Sequence, residues 1–289
     1  MNRILIPFVC ITLGGIAFRV TAPEEDSSPE KRRQSALEFH IRAQERTGLL
    51  IPLYLYPADI HKNADYNRLI DLKRRYETVP MWVILNPASG PGNQIDANYT
   101  KAIDRLRGAG CMTLGYVSTR YGKRAEAEVR KEVDLWLKMY PRTQGIFFDE
   151  MVYTDTEAGV KHQCILKDYA HKLGYWPIVA NPGAETPGRY FAAEAADVIV
   201  VHEGDSIPKE ERLKGDYFGG NSDYPPFTRG VLLHSQKSVD KAGLKMVRKY
   251  ARWIYLTEAV YRENDPKAAN PWNRLSNHLE ALCEFLSEK

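Results

Sequence analysis

From residue 49 to the C-terminus the chain alternates without a break between short apolar runs and longer amphipathic segments, and this alternation leaves few folds open. The apolar runs are Leu49–Tyr56, Met81–Asn86, Thr113–Ser118, Gly145–Asp149, Trp176–Asn181, Val198–His202, Gly230–His234 and Trp253–Thr257. Runs of this length, bounded by turn residues, read as buried parallel strands. Between them lie Ala64–Tyr76, Ala97–Ala109, Arg124–Met139, Glu157–Leu173, Gly188–Ala195, Lys209–Leu213, Val239–Lys249 and Asn273–Ser287, charged segments with apolar residues at helical spacing. Eight strands alternating with eight helices predict the α/β class and a (β/α)8 TIM barrel. A doubly wound open sheet would carry a glycine-rich phosphate turn after its first strand, and Tyr56-Pro57-Ala58-Asp59 stands there instead. The connecting segments differ in length and share no motif, which excludes a solenoid.

Upstream of the alternation, Met1-Asn2-Arg3 leads into an apolar stretch from Ile4 to Phe18 and then Val20-Thr21-Ala22. That is the layout of a secretory signal peptide over residues 1–22, with cleavage expected after Ala22. The apolar stretch falls short of the ~20 residues that span a bilayer, and no later segment is long enough, so no membrane span is expected after cleavage. Removing those 22 residues takes Arg3 and Arg19 away, lowering the formal charge from +3 to +1 and leaving 267 of 289 residues, a length suited to one large domain. The expected layout is a Pro/Ser/Glu-rich linker at 23–35 and a single monomeric barrel domain at 36–289, entered by a short helical lead-in through Leu37, Phe39 and Ile41. A near-neutral chain without a basic block has no footprint for nucleic acid. Cys111, Cys164 and Cys283 are widely spaced; they allow at most one disulfide and form no Cys-x-x-Cys metal signature.

Barrel enzymes build their sites from residues at the C-terminal strand ends. Here these are Tyr54 and Tyr56, Asn86, Tyr116 and Ser118, Asp149 and Glu150, Asn181, His202 and Glu203, His234, and Thr257 with Glu258. Nearly every strand thus ends in a polar or aromatic residue. The carboxylates decide the reaction class. Asp149 and Glu150 close the fourth strand, Glu203 follows the sixth, and strands two apart face each other across a barrel mouth. One protonated and one ionised carboxyl across a scissile bond suit glycoside hydrolysis. Adjacent strand residues point to opposite faces, so Asp149 and Glu150 share the pocket only if the strand has already bent into its loop. Tyrosines at or beyond the strand ends, among them Tyr121, Tyr153 and Tyr217, together with Trp272, offer flat faces for sugar rings.

Other chemistries fit less well. Metal-dependent hydrolysis needs clustered His and carboxylate ligands, whereas the first strand ends in tyrosines and His202 and His234 stand apart, so neither metal nor organic cofactor is expected. The loop Asn86-Pro87-Ala88-Ser89-Gly90-Pro91-Gly92 lacks the Lys-Ser/Thr of a phosphate loop and reads as a turn on the pocket rim. Ser89 and Ser118 lack the surroundings of a nucleophile elbow.

Four stretches in this order carry a family resemblance: Ile51-Pro52-Leu53-Tyr54-Leu55-Tyr56-Pro57; the Asn86–Gly92 loop followed by Asp96-Ala97-Asn98-Tyr99; Gly115-Tyr116-Val117-Ser118-Thr119; and Gly145-Ile146-Phe147-Phe148-Asp149-Glu150. Together they resemble the spherulin-4 family over about residues 48–285. The resemblance implies a secreted or cell-surface barrel similar to endo-acting glycoside hydrolases that cleave α-1,4-linked N-acetylgalactosamine in galactosaminogalactan, a biofilm exopolysaccharide. By position it implies catalytic roles for Asp149, Glu150 and Glu203. The expected sugar-binding residues are Tyr54, Tyr56, Asn86, Tyr116, Asn181, His202 and His234, and the expected partner is a polysaccharide. The alternative is a non-catalytic carbohydrate-binding surface or coat protein on the same barrel. Retention or inversion stays open at this point, since it follows from a distance between carboxyl groups.

Overall fold

The computed structural model describes residues 46–214, 223–262, 264–265 and 270–288. The expected signal segment 1–22, linker 23–35, the lead-in through Ile41, and Tyr217 lie outside the described residues. Eight strands, β1 (Gly48–Leu53), β2 (Met81–Leu85), β3 (Met112–Ser118), β4 (Gly145–Asp149), β5 (Ile178–Asn181), β6 (Val198–Gly204), β7 (Arg229–Leu233) and β8 (Trp253–Leu256), form one closed parallel barrel in chain order. The described helices between and after them are α1 (Ala64–Arg75), α2 (Ala97–Gly108), α3 (Glu126–Met139), α4 (Glu157–Lys172), α5 (Gly188–Ala192), α6 (Glu210–Lys214), α7 (Lys241–Val247) and α8 (Leu279–Ser287). The predicted (β/α)8 barrel is therefore the observed fold. The largest boundary difference is α8, which starts at Leu279 rather than Asn273: residues 273–278 form turns and bends in which Ser276 and Asn277 are tied to the Glu258 carboxylate. Among the described residues no helix is long and apolar enough to cross a membrane.

The strands form because both faces are buried, one inside the barrel and one beneath the helices. Inside, Trp82 of β2 stacks on Trp253 of β8 with ring centroids 3.3 Å apart, and this pair plugs the end of the barrel away from the strand C-termini. The plug requires Gly48, where a Cβ would meet the Trp253 ring at 2.6 Å. Outside, α3 lays Trp136 against β3 and donates from its indole N–H to the Tyr116 carbonyl at 2.9 Å.

Gly145, which opens β4, carries a prediction about stability. A Cβ there would stand 2.3 Å from the Pro177 carbonyl oxygen, and that oxygen already accepts the Ile146 N–H at 3.1 Å. Backbone in a closed barrel cannot yield without loosening the β4–β5 pairing. Gly145→Ala is expected to destabilise by about 3 kcal/mol, seen as a Tm lowered by roughly 6–12 °C. A Tm within about 2 °C of wild type, under 1 kcal/mol on the same scale, would contradict this packing.

Candidate active site

In a parallel barrel, residues paired across neighbouring strands share a face. Ser118 pairs with Asp149 and Asp149 with Asn181, which turns all three into the mouth, with Tyr116 one step below. Tyr116 donates its hydroxyl to Asp149 Oδ2 at 2.8 Å. The two N–H bonds of the Asn181 amide divide between two acids, one to Asp149 Oδ1 at 2.9 Å and one to Glu203 Oε2 at 2.6 Å. Asn181 Oδ1 in turn accepts the Gly183 N–H at 3.0 Å, which fixes the amide with its donors toward the carboxylates. Two bonds of 2.9 and 2.6 Å meeting at one nitrogen place those carboxylate oxygens no more than 5.5 Å apart. Trp272 Nε1 caps the other Glu203 oxygen at 3.3 Å, and the Trp272 carbonyl accepts the Tyr54 N–H at 2.8 Å.

Glu203 reaches this cluster through a defect in β6. Regular alternation from Val198 and Val200, which face inward, would turn His202 into the barrel and Glu203 out of it. The β6–β7 register slips between Val200 and His202, so Val201 is an extra residue, a β-bulge that exchanges the two faces. Glu203 points in. His202, expected to bind sugar, turns to the other face of β6, where its Nε2 lies 2.9 Å from the Ser206 carbonyl.

A second irregularity brings in Glu150. Its φ of 53° lies in the left-handed region, so β4 turns sharply one residue after Asp149 and both acids line the same cleft of about 890 Å³. Ser118, unsuited to be a nucleophile, donates its hydroxyl to the Glu150 carboxylate. The cleft is walled by the Ala88–Asn93 loop and by α3 through Glu128, Lys131 and Leu135, so the predicted rim loop does shape it. Asn86 holds that loop by accepting the Gly90 N–H at 3.0 Å; its side-chain oxygen is engaged there rather than at the acids. Tyr56 hydrogen-bonds a rim residue. It is exposed at the outer rim, where its hydroxyl accepts from Asn98 Nδ2 at 2.8 Å. His234 stays at the mouth, its ring edge-on to Trp272 at 6.3 Å and its Nδ1 3.0 Å from Ser235 Oγ.

The electrostatics separate the groups into roles. Burial, reinforced by the Glu203 charge, pushes the Asp149 carboxyl up from 3.8 to about 7, which makes it a proton donor near neutral pH. Burial and the charge of Asp149 hold the Tyr54 and Tyr116 hydroxyls well above the usual tyrosine value, so both stay protonated. Burial lowers both His202 and His234 and favours neutral imidazoles. The Trp272–Glu203 bond is the contact the strand-end reading missed: only the run of aromatic residues beyond the strand ends pointed toward it.

Three comparisons bear on what this site belongs to. Residues 48–286 match the family described as Spherulation-specific family 4, Spherulin4. Spherulin-4 of Physarum polycephalum is 32% identical over 171 residues, an alignment that spans 58% of this chain and about half, 49%, of that protein. The structure is similar to the crystal structure of Aspergillus clavatus Sph3 in complex with GalNAc, with 25% identity, a TM-score of 0.69, and coverage of 84% of this chain and 98% of that one. With the family match running through the barrel from β1 to α8, this chain is a member of the spherulin-4 family.

Proposed function

We propose that the protein is a glycoside hydrolase that cleaves internal bonds of an amino-sugar polysaccharide, with α-1,4-linked N-acetylgalactosamine of a galactosaminogalactan-like exopolysaccharide as the substrate class. The observation that carries the reading is the pair Asp149 and Glu203, joined through one Asn181 amide, with one member held protonated near neutral pH. The likeness to a protein solved with GalNAc supports the choice of sugar. The signal-like layout of residues 1–22 supports action outside the cytoplasm, in solution or at the cell surface.

In this reaction Asp149 gives its proton to the glycosidic oxygen as the C1–O bond breaks, and ionised Glu203 attacks C1 to form a glycosyl-enzyme ester. Asp149, now ionised, takes a proton from water, which attacks C1 and releases Glu203. The proton and both electron pairs return to their starting places. One Asn181 amide brings an oxygen of each acid to within 5.5 Å of the other, which supports the closer spacing of retaining enzymes, roughly 5–5.5 Å between carboxyl groups, over the roughly 6.5–9.5 Å of an inverting pair. Tyr116 and Asn181 steady Asp149, and Tyr54, His234 and Trp272 complete the wall facing Glu203.

A reducing-end assay on purified α-1,4-N-acetylgalactosamine polymer tests the reading: new ends are expected with wild type and a loss of them with Asp149→Asn, Glu150→Gln and Glu203→Gln. NMR of the first product should show the retained α anomer. Polymer binding without new ends would favour the non-catalytic alternative, and full activity in all three variants would remove the carboxylates from the mechanism.

A further inference from the structure

We propose that Thr119 is a positioning residue for Glu150, holding the carbonyl of the peptide after Glu150 so that this residue keeps its left-handed turn and two adjacent acids stay on one face. Three donors converge on Glu150. Its carbonyl accepts the Thr119 hydroxyl at 2.6 Å and the Tyr121 N–H at 2.6 Å, and its carboxylate accepts from Ser118. The corner that supplies them is itself braced. The Thr119 N–H donates to the Asp149 carbonyl at 2.9 Å and the Gly122 N–H to the Thr119 carbonyl at 3.1 Å. Arg124 donates to the Ser118 carbonyl at 2.7 Å and pairs with Glu132 at 2.6 Å.

The conformation being held is an unfavourable one. Glu150, Arg120 and Tyr121 have φ values of 53°, 48° and 56°, a region that non-glycine residues hold only where the surroundings over-determine it. Relaxation of Glu150 to extended backbone would restore the strand period and swing its carboxylate to the face opposite Asp149. Of the three donors, the Tyr121 N–H belongs to the main chain and Ser118 reaches only the carboxylate. Thr119, fully buried, contributes the side-chain bond made to the strained peptide itself. Valine would fill the same space without that bond. If Thr119 only satisfied a buried carbonyl, its loss would lower stability and leave turnover alone.

Crystal structures and steady-state kinetics of Thr119→Val and Thr119→Ser test the inference. In Thr119→Val, Glu150 is expected to leave positive φ and release Ser118, with kcat lowered about 10–100-fold and KM little changed, the size of loss that small misplacements of reacting groups produce. Thr119→Ser keeps the hydroxyl and is expected to restore kcat to within about threefold of wild type. A Thr119→Val enzyme with Glu150 still at positive φ and kcat within about threefold of wild type, whatever its Tm, would overturn the inference, as would equal impairment of the serine variant. Should Thr119→Val fail to fold, Thr119→Cys replaces it, close in size with a weaker donor: an intermediate loss of kcat supports the role and an unchanged kcat refutes it. The kinetic arm rests on the glycosidase reading. A wild-type protein that frees no reducing ends would overturn that reading, while the φ of Glu150 in Thr119→Val still decides what Thr119 does.

Discussion

Glu203→Gln is expected to lower kcat on the polymer by about three to five orders of magnitude with little change in KM, the signature of losing a nucleophile that acts only in the transition state. The amide fits the same volume, yet its one oxygen can accept from Trp272 or from Asn181 but not both, so the Tm of the variant is measured beside its kcat to separate lost packing from lost chemistry. Glu203→Ala sharpens the test. It leaves the Asn181 and Trp272 N–H groups, which lie 2.6 and 3.3 Å from the Glu203 oxygens, facing an emptied volume suited to a small anion. Added azide is expected to enter there, attack C1 from the side Glu203 occupied, and restore part of the turnover while yielding a glycosyl azide of inverted configuration. Measured rates of reducing-end release and NMR of the azide product decide the matter: a Glu203→Gln enzyme that keeps about a tenth of wild-type kcat or more, under 1.4 kcal/mol of lost stabilisation, would remove Glu203 from the nucleophile's place.

The barrel was legible in the sequence because its cause is legible there. A strand buried on both faces must be apolar throughout, and eight such runs separated by helical periodicity admit one closed architecture. The acids were also legible as residue types at strand ends. Their facing was not, because it depends on two departures from strand period. The bulge at Val201 exchanges His202 and Glu203, and no local pattern in Val198-Ile199-Val200-Val201-His202 announces an extra residue. The left-handed turn at Glu150 is set by donors 29–32 positions earlier in the chain, which only the fold brings near. Tyr56 and Asn86, expected at the sugar, each also hydrogen-bond a rim partner that strand ends alone do not announce, Asn98 for one and the Gly90 N–H for the other. Ser118 shows the converse: dismissed as a nucleophile, it serves as a donor to Glu150.

Asp149→Asn is expected to separate activity from stability. The raised carboxyl value means that the proton donor is present below about 7 and lost above it, so wild-type kcat should fall along an alkaline limb centred near that pH. The variant lacks that limb and its rate should lie about 10²–10⁴-fold lower, the usual contribution of a general acid. The deficit should shrink on an aryl glycoside whose leaving group departs without a proton. Stability moves the other way. Because the folded value lies above the ordinary 3.8, the favourable contribution of protonated Asp149 is complete below about 4 and is lost as pH rises to about 7. A rise of about three units corresponds to on the order of 4 kcal/mol, a strain that an uncharged amide does not carry. The amide can take the Asn181 N–H on its oxygen and offer its own N–H to Tyr116, whose hydroxyl then accepts. Thermal melts of the two proteins should therefore nearly coincide at pH 4 and diverge in favour of Asp149→Asn by pH 8. A variant less stable than wild type at pH 8, or a wild-type rate that stays flat through pH 7, would mean that Asp149 is ionised in the resting site and that the acid must be sought in Glu150 or Glu203.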